Sequence, residues 1–310
     1  MRGAVFGTLA GIGAVAAAGV GFIRYRLRGI PPPVTGVFPN GMAYARLGAG
    51  PKTCLFLRGG PGNVVPMGPV FRAFSVDILR PFLESGYSVW VVTRRQNMPR
   101  GHSIEDMAVD HAAFLIVDEF DGKVDLVIGE EAYGGMIAFC LAARHPDLFD
   151  HVAVWLAGHR LSEEGKELEL GFGRLMAEGR TGDAGALLVR ALMPGLRVPG
   201  VDRIFGAVLV RMAFGTLHQY FRNDVLVEAE AVAAFDGRQI LPKIQVPVLL
   251  IGCDQDLEIT REIFEETAEL ISDCTLLIYE GMNGFQAVND KRLPMDVLHW
   301  AEPSIGGATP

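Results

Sequence analysis

Residues 124–139 constrain this chain more than any other stretch. They read Val-Asp-Leu-Val-Ile-Gly-Glu-Glu-Ala-Tyr-Gly-Gly-Met-Ile-Ala-Phe. A β-branched apolar run enters a tight polar turn. Gly134-Gly135 then open an Ala- and Leu-rich helix that ends near Arg144-His145-Pro146. An apolar run of strand length reads as a strand buried on both faces, and a helix straight after it marks a parallel α/β unit.

The flanking sequence repeats that unit. Tyr44–Leu47 and Thr53–Leu57 read as strands around a Gly-Ala-Gly-Pro turn, and the second runs directly into Arg58-Gly59-Gly60-Pro61-Gly62. Phe74–Ser85 has helical spacing and stops at Gly86, Ser88–Thr93 is a buried-type strand, and Ser103-Ile104-Glu105-Asp106 caps a helical stretch to about Phe120. Val152–Leu156, Val246–Gly252 and Cys274–Tyr279 add strands, with a helix over Arg261–Ile271. The alternation predicts an α/β fold with a doubly wound, mostly parallel sheet. From 159 to 237 the strand signal gives way to helical segments broken at Gly179, Gly182, Pro194 and Pro199. The expected organisation is a core over 40–158 and 238–300, a helical cap insert over 159–237 and a fraying tail over 301–310.

The 310 residues carry a net charge of −8, which argues against general nucleic-acid binding. Cys54, Cys140, Cys253 and Cys274 form no CxxC pair and sit mostly in apolar runs. They read as buried free thiols rather than metal ligands, although spacing alone leaves a disulfide open. No metal and no cofactor is expected.

Residues 4–23 are uncharged and mainly Ala, Gly, Val, Ile and Phe, bounded by Arg2 and by Arg24, Arg26 and Arg28. As a helix they would span about 30 Å, the thickness of a bilayer core. One reading is an uncleaved anchor within residues 1–30, with the main domain in the cytoplasm. The other is a signal peptide cut near Ala16-Ala17-Ala18, which leaves the protein secreted. The continuing apolar run and the single n-region Arg favour the anchor. Gly3, Gly7 and Gly11 at four-residue spacing would let two anchor helices pair as a homodimer. Pro31-Pro32-Pro33 make 31–39 an extended linker.

Four landmarks in order resemble the α/β-hydrolase fold superfamily, in particular its proline-iminopeptidase-like and esterase-like members: Arg58-Gly59-Gly60-Pro61-Gly62, Tyr133-Gly134-Gly135, Gly252-Cys253-Asp254-Gln255-Asp256 and Gly281-Met282-Asn283-Gly284. The resemblance spans residues 40 to 300 and implies a Ser-His-Asp hydrolase with its Ser on a strained strand-to-helix turn. The sequence departs from that pattern at its reactive positions. Counted back from Gly134-Gly135, the nucleophile position is Ala132 and the first small position is Glu130. Counted from Gly129 it is Glu131, with Tyr133 at the second small position. The base position is Gly284, Arg58 replaces the usual His of the first landmark, and Asp256 remains as the acid. Gly59, Gly60 and the Tyr133 amide stay available as oxyanion donors.

Arg58, Arg94 and Arg95 are pocket candidates at the carboxyl edge of the sheet, where they would ion-pair with Glu130, Glu131 and Asp256. Of the histidines, His102 and His159 follow sheet strands and are the ones expected near the cleft. Loss of both nucleophile and base removes most of a hydrolase's rate advantage. The expectation is therefore a hydrolase-fold pseudoenzyme that binds a ligand or partner. The alternative is an active hydrolase of esters or aminoacyl amides that uses displaced groups such as Glu131.

Overall fold

The computed structural model of the chain describes residues 21, 23, 25–59, 69–92, 94–115, 120, 123–192, 204, 206–208, 210 and 219–302. Its strands form one eight-stranded sheet in the order β1-β2-β4-β3-β5-β6-β7-β8. These are β1 Val34–Val37, β2 Ala43–Leu47, β3 Lys52–Leu57, β4 Tyr87–Val92, β5 Val124–Glu130, β6 Phe149–Trp155, β7 Val248–Cys253 and β8 Cys274–Tyr279. β1 and β2 pair antiparallel, as do β2 and β4, and every other neighbouring pair is parallel.

β5 lies between β3 and β6, in register Ile128↔Phe56 and Ile128↔Ala153. A strand hydrogen-bonded on both edges and covered on both faces must be apolar throughout, which accounts for its unbroken Leu-Val-Ile run. Helices α1 Pro69–Glu84, α2 Ile104–Leu115 and α3 Glu131–Arg144 belong to the first half of the core. Here α3 packs on β5, β6 and β3 and α2 packs on α3. From Ala132 to Ala142 every residue of α3 is buried, so this helix is apolar all round rather than amphipathic.

Between β6 and β7 the chain forms a cap of α4 Glu163–Ala177, α5 Thr181–Leu192 and α6 Gln219–Ala234. The cap has its own small core, in which Phe172 and Met176 of α4 meet Ala184, Val210 and Val225. Ser162 starts α4 by accepting a hydrogen bond from the Gly165 amide at 2.9 Å. The core closes with α7 Arg261–Glu269, α8 Gly284–Val288 and α9 Arg292–Ala301. The four cysteines are free thiols.

Two boundaries differ from expectation. The segment read as an extended linker contains β1, an edge strand too short and too close to the prolines to show a period. The segment read as a fraying tail begins inside α9. Ala301 is buried, and Glu302 accepts from Lys52 Nζ at 2.6 Å and from the Tyr87 hydroxyl at 2.5 Å. Of the expected membrane span, only Gly21 and Ile23 are described. Among the described residues no helix is long and apolar enough to cross a membrane. The chain following that span is tied to α1, where Arg26 pairs with Asp77 at 2.8 Å and Arg80 donates to the Arg26 carbonyl at 3.2 Å.

Candidate functional site

The turn between β5 and α3 is built around Glu131, which has φ of +55°. For a residue with a side chain this left-handed backbone costs about 1–3 kcal/mol, and it persists only where the surroundings impose it. Two glycines show how. A Cβ at Gly134 would stand 2.1 Å from the Leu57 carbonyl, so β3 and α3 touch backbone to backbone. A Cβ at Gly59 would stand 2.1 Å from the Glu130 carbonyl and 2.6 Å from Glu131 Cβ. The chain after β3 thus presses directly on the turn. The strained elbow is kept rather than relaxed into an ordinary loop.

The left-handed residue is Glu131, the position reached by counting from Gly129, and not Ala132, the position reached by counting back from Gly134. Ala132 is the next residue of α3, and its amide, not that of Tyr133, follows the apex. Gly60 lies outside the described residues. Helix α3 begins at the apex with no side-chain cap, which leaves its first amides pointing beyond the helix end.

Across the cleft, Asp256 follows β7. Its Oδ1 accepts from the amides of Glu258 and Ile259 at 2.7 and 3.0 Å, while Oδ2 accepts from the Cys253 thiol at 3.8 Å. A Cβ on Gly284, the first residue of α8, would lie 2.4 Å from that same Oδ2. Asp256 and Gly284 therefore adjoin, and Gly284 brings no side chain to that contact. The Asp256 loop is also fastened to the cap. The Ser162 amide donates to the Glu258 carbonyl at 2.8 Å, and the Ser162 hydroxyl donates to the Leu257 carbonyl at 2.6 Å.

Between elbow, Asp256 loop and cap lies a cavity of about 130 Å³. Its walls are largely apolar, with Leu168 and Phe172 from α4, Val225 from α6, and Phe285 from α8. Five acidic residues also line it: Glu131, Glu169, Glu228, Asp256 and Glu258. Burial pushes Glu131 up to about 8, helped by Glu130, Glu169 and Asp256 and opposed by Arg58. Burial also raises Glu169 to about 7, with help from Glu228. Glu228 too rises to about 7 by burial, with the Arg94 charge opposing. Glu258 is driven well above the carboxylate range by burial and then by Glu169, Asp256 and Glu131. Asp256 is raised by burial against the pull of its two amide donors.

The arginine candidates do not share this cavity. The partly buried Arg58 pairs with the buried Glu130 at 3.0 Å and donates to Ser75 Oγ at 3.3 Å. Arg94, 2% exposed, pairs with Glu228 of α6, a partner the sequence reading omitted. Arg95 reaches Asp110 at 3.4 Å at the surface. Ion pairing was expected of these groups; the partner of Arg94 was not.

No histidine lines the cavity among the described residues. His102 pairs with Asp110 at 2.8 Å, and the buried His159 ring meets Thr267 Oγ1 at 3.0 Å, so neither candidate faces the cleft. His218 lies outside the described residues. Glu169 and Glu228 were missed, yet a signal existed. Glu169 stands between Leu168 and Leu170, and Glu228 directly follows Val225-Leu226-Val227, so each acid has apolar neighbours on the chain. The Tyr133 ring is 3% exposed, and its hydroxyl has no hydrogen-bond partner among the described residues.

No protein-family model matches the chain. One curated protein, a pimeloyl-[acyl-carrier protein] methyl ester esterase of Neisseria meningitidis, is 30% identical over 154 residues, covering 48% of this chain. That match spans 47% of the esterase's own length, about half of it. Among solved structures, the enol-lactonase of Burkholderia xenovorans LB400 superposes with a TM-score of 0.63 at 19% identity, over 86% of this chain and 99% of that one. A membrane phospholipase A superposes with a TM-score of 0.67 at 17% identity, over 99% and 100% of the two chains. An alpha/beta hydrolase enzyme from a Medee basin deep-sea metagenome gives 0.65 at 14% identity, over 87% and 96%. At such identities the likeness speaks for architecture, and with the strand order and the retained elbow it leads to one conclusion: the chain has the α/β-hydrolase fold.

Proposed function

We propose that this protein binds a small ligand in the cavity under its cap and does not hydrolyse acyl substrates through a serine triad. The observation that carries this reading is the pairing of Glu131 at the elbow apex with Gly284 beside Asp256. A hydroxyl nucleophile and the imidazole that would activate it are replaced together, and an acid with no base to orient contributes little. The concave, largely apolar walls are those of a binding site. The test is hydrolysis of short acyl esters, lactones and aminoacyl amides by the purified chain. The expected result is no turnover above the buffer rate. Turnover abolished by Glu131→Gln overturns the reading.

A second reading takes Glu131 as a carboxylate nucleophile, favoured by its place at the strained apex. Two features weigh against it. A carboxyl held up to about 8 is largely protonated at neutral pH and is then a poor nucleophile. The described part of the cavity also offers no imidazole to activate the water that would release a covalent intermediate. A mass shift on the peptide containing Glu131 after incubation with ester would establish this second reading.

The anchor is part of the proposal. Its support is the uncharged run of residues 4–23 and the contacts of Arg26 and Arg80, which would hold α1 close to a bilayer.

A further inference from the structure

The uncharged run of residues 4–23 ends two residues before Tyr25, and the folded domain takes hold of the chain immediately after it. The Leu27 amide donates to the Ile23 carbonyl at 3.0 Å and the Arg28 amide to the Tyr25 carbonyl at 3.2 Å, so helical turns carry on past Ile23. These turns are fastened to α1 by the Arg26–Asp77 pair and by Arg80, which donates to the carbonyls of Arg26 and Arg28. Ile30 then packs against the core. A segment held this way sets how the domain sits relative to whatever the run enters.

The margin of the domain beside these turns is apolar and basic. Tyr25 is 76% exposed, and Val34 and Val37 of β1 are 53% and 66% exposed. β1 is the outermost strand of the sheet, on the side where α1 packs on β4. Val34 stands six residues beyond Arg28, at most about 20 Å even along an extended chain. The Phe38 amide bonds the Met42 carbonyl at 2.8 Å, and alternation along the antiparallel pair turns the amides and carbonyls of Thr35 and Val37 away from β2. Hydrocarbon would leave such groups unsatisfied, whereas a hydrated headgroup layer bonds them. The charge agrees. Arg24, Arg26 and Arg28 gather here in a chain of net charge −8, so an anionic surface would repel most of the protein and attract this margin.

We propose that Tyr25, Arg28 and the β1 edge form a bilayer-contact surface, seated in the headgroup layer of a membrane that contains anionic lipid. This inference rests on the anchor reading above and adds to it a peripheral contact that holds the domain against the membrane in one orientation. Tyr25 takes the interfacial place usual for an aromatic ring with a polar tip. The exposed Arg28 meets lipid phosphate. Val34 and Val37 reach the boundary of headgroups and acyl chains, while the outward backbone groups of β1 stay hydrated.

The test places a nitroxide on the full chain at Val37→Cys, or at Ser272→Cys just before β8 on the opposite edge of the sheet, with Cys274→Ser in both. Seven strand spacings, roughly 34 Å, separate the two edges. Both labelled positions are exposed, so neither substitution disturbs the core. Each protein is reconstituted into phosphatidylcholine–phosphatidylglycerol vesicles and washed with alkaline carbonate. Collisions of the label with oxygen, which partitions into the bilayer, are compared with collisions with a water-soluble nickel chelate. The ratio of the two is expected to be at least about threefold higher at position 37 than at position 272. Arg28→Glu is expected to lower the ratio at 37 and to leave that at 272 unchanged. The contact is overturned by equal ratios at the two positions in carbonate-resistant protein, or by a ratio at 37 indifferent to Arg28→Glu. A label at 37 shielded from both reagents also overturns it, since a second copy of the chain would then cover β1. Release of the chain by carbonate removes the anchor reading itself, and this contact with it.

Discussion

Gly284 and Asp256 stand so close that a Cβ on the glycine would lie 2.4 Å from the carboxylate Oδ2. The obstructing atom is the far end of a side chain, which can turn aside more easily than backbone. A histidine at 284 would therefore sit against the acid that orients such a ring.

Restoring the two replaced groups tests how much of the site's frame is intact. Glu131→Ser with Gly284→His is expected to hydrolyse a p-nitrophenyl ester roughly 100-fold faster than Glu131→Ser alone, the scale of a positioned general base. Equal rates for the two would show that position 284 does not deliver a base to the apex.

The cavity acids make stability depend on pH in an unusual direction. Glu131 at about 8 and Glu169 and Glu228 at about 7 lie above their ordinary value of 4.5, so the folded chain holds protons the unfolded chain has released. Their contribution is fully present below about 4.5 and is lost as pH rises through 7 to 8. His111, lowered to about 4 by burial, acts oppositely, and its contribution is lost as pH falls from 6.5 toward 4. His159, lowered by burial and by the Arg160 charge, acts in the same sense as His111, and the three acids outweigh the two histidines. Thermal melts should give a higher Tm at about pH 5.5 than at about pH 8.5, and Glu131→Gln should reduce the difference.

The pair Arg94 and Glu228 should respond asymmetrically to truncation. A guanidinium cannot shed its charge, whereas a buried carboxyl can take a proton. Glu228→Leu is expected to cost about 3 kcal/mol, in the range for breaking a buried pair. Arg94→Met should cost less at neutral pH. Urea denaturation of the two variants checks the order.

Tyr133→Phe removes a buried hydroxyl that no described residue bonds. In the unliganded protein this change should raise stability by about 1 kcal/mol, the lower end of the cost of an unsatisfied group. Chemical denaturation without ligand measures it, and a loss of stability would mean that the hydroxyl is satisfied.

Much of the fold is legible in the sequence because the parallel strands are buried on both faces and so appear as plain apolar runs, as in Val248–Cys253. Val34–Val37 is not legible, since an exposed edge strand needs no apolar period. At the elbow, Gly134-Gly135 does not by itself locate the left-handed residue. Those glycines report where α3 meets β3 and β6, whereas the apex is set by pressure from Gly59 on Glu131, which only the folded chain reveals. The acid at 256 follows its strand and can be placed by counting. Glu169 and Glu228 come from different cap helices, and only packing the cap onto the sheet brings them to one space.

Ser162 holds the carbonyls of Leu257 and Glu258 while starting the first cap helix. The roof of the cavity and two of its floor acids thus hang from one side chain and its amide. Tightening the cap around an occupant would drag the floor with it. Filling the floor would in turn be felt at the outer face of the cap, which makes that face the place where another molecule could sense whether the chamber is full.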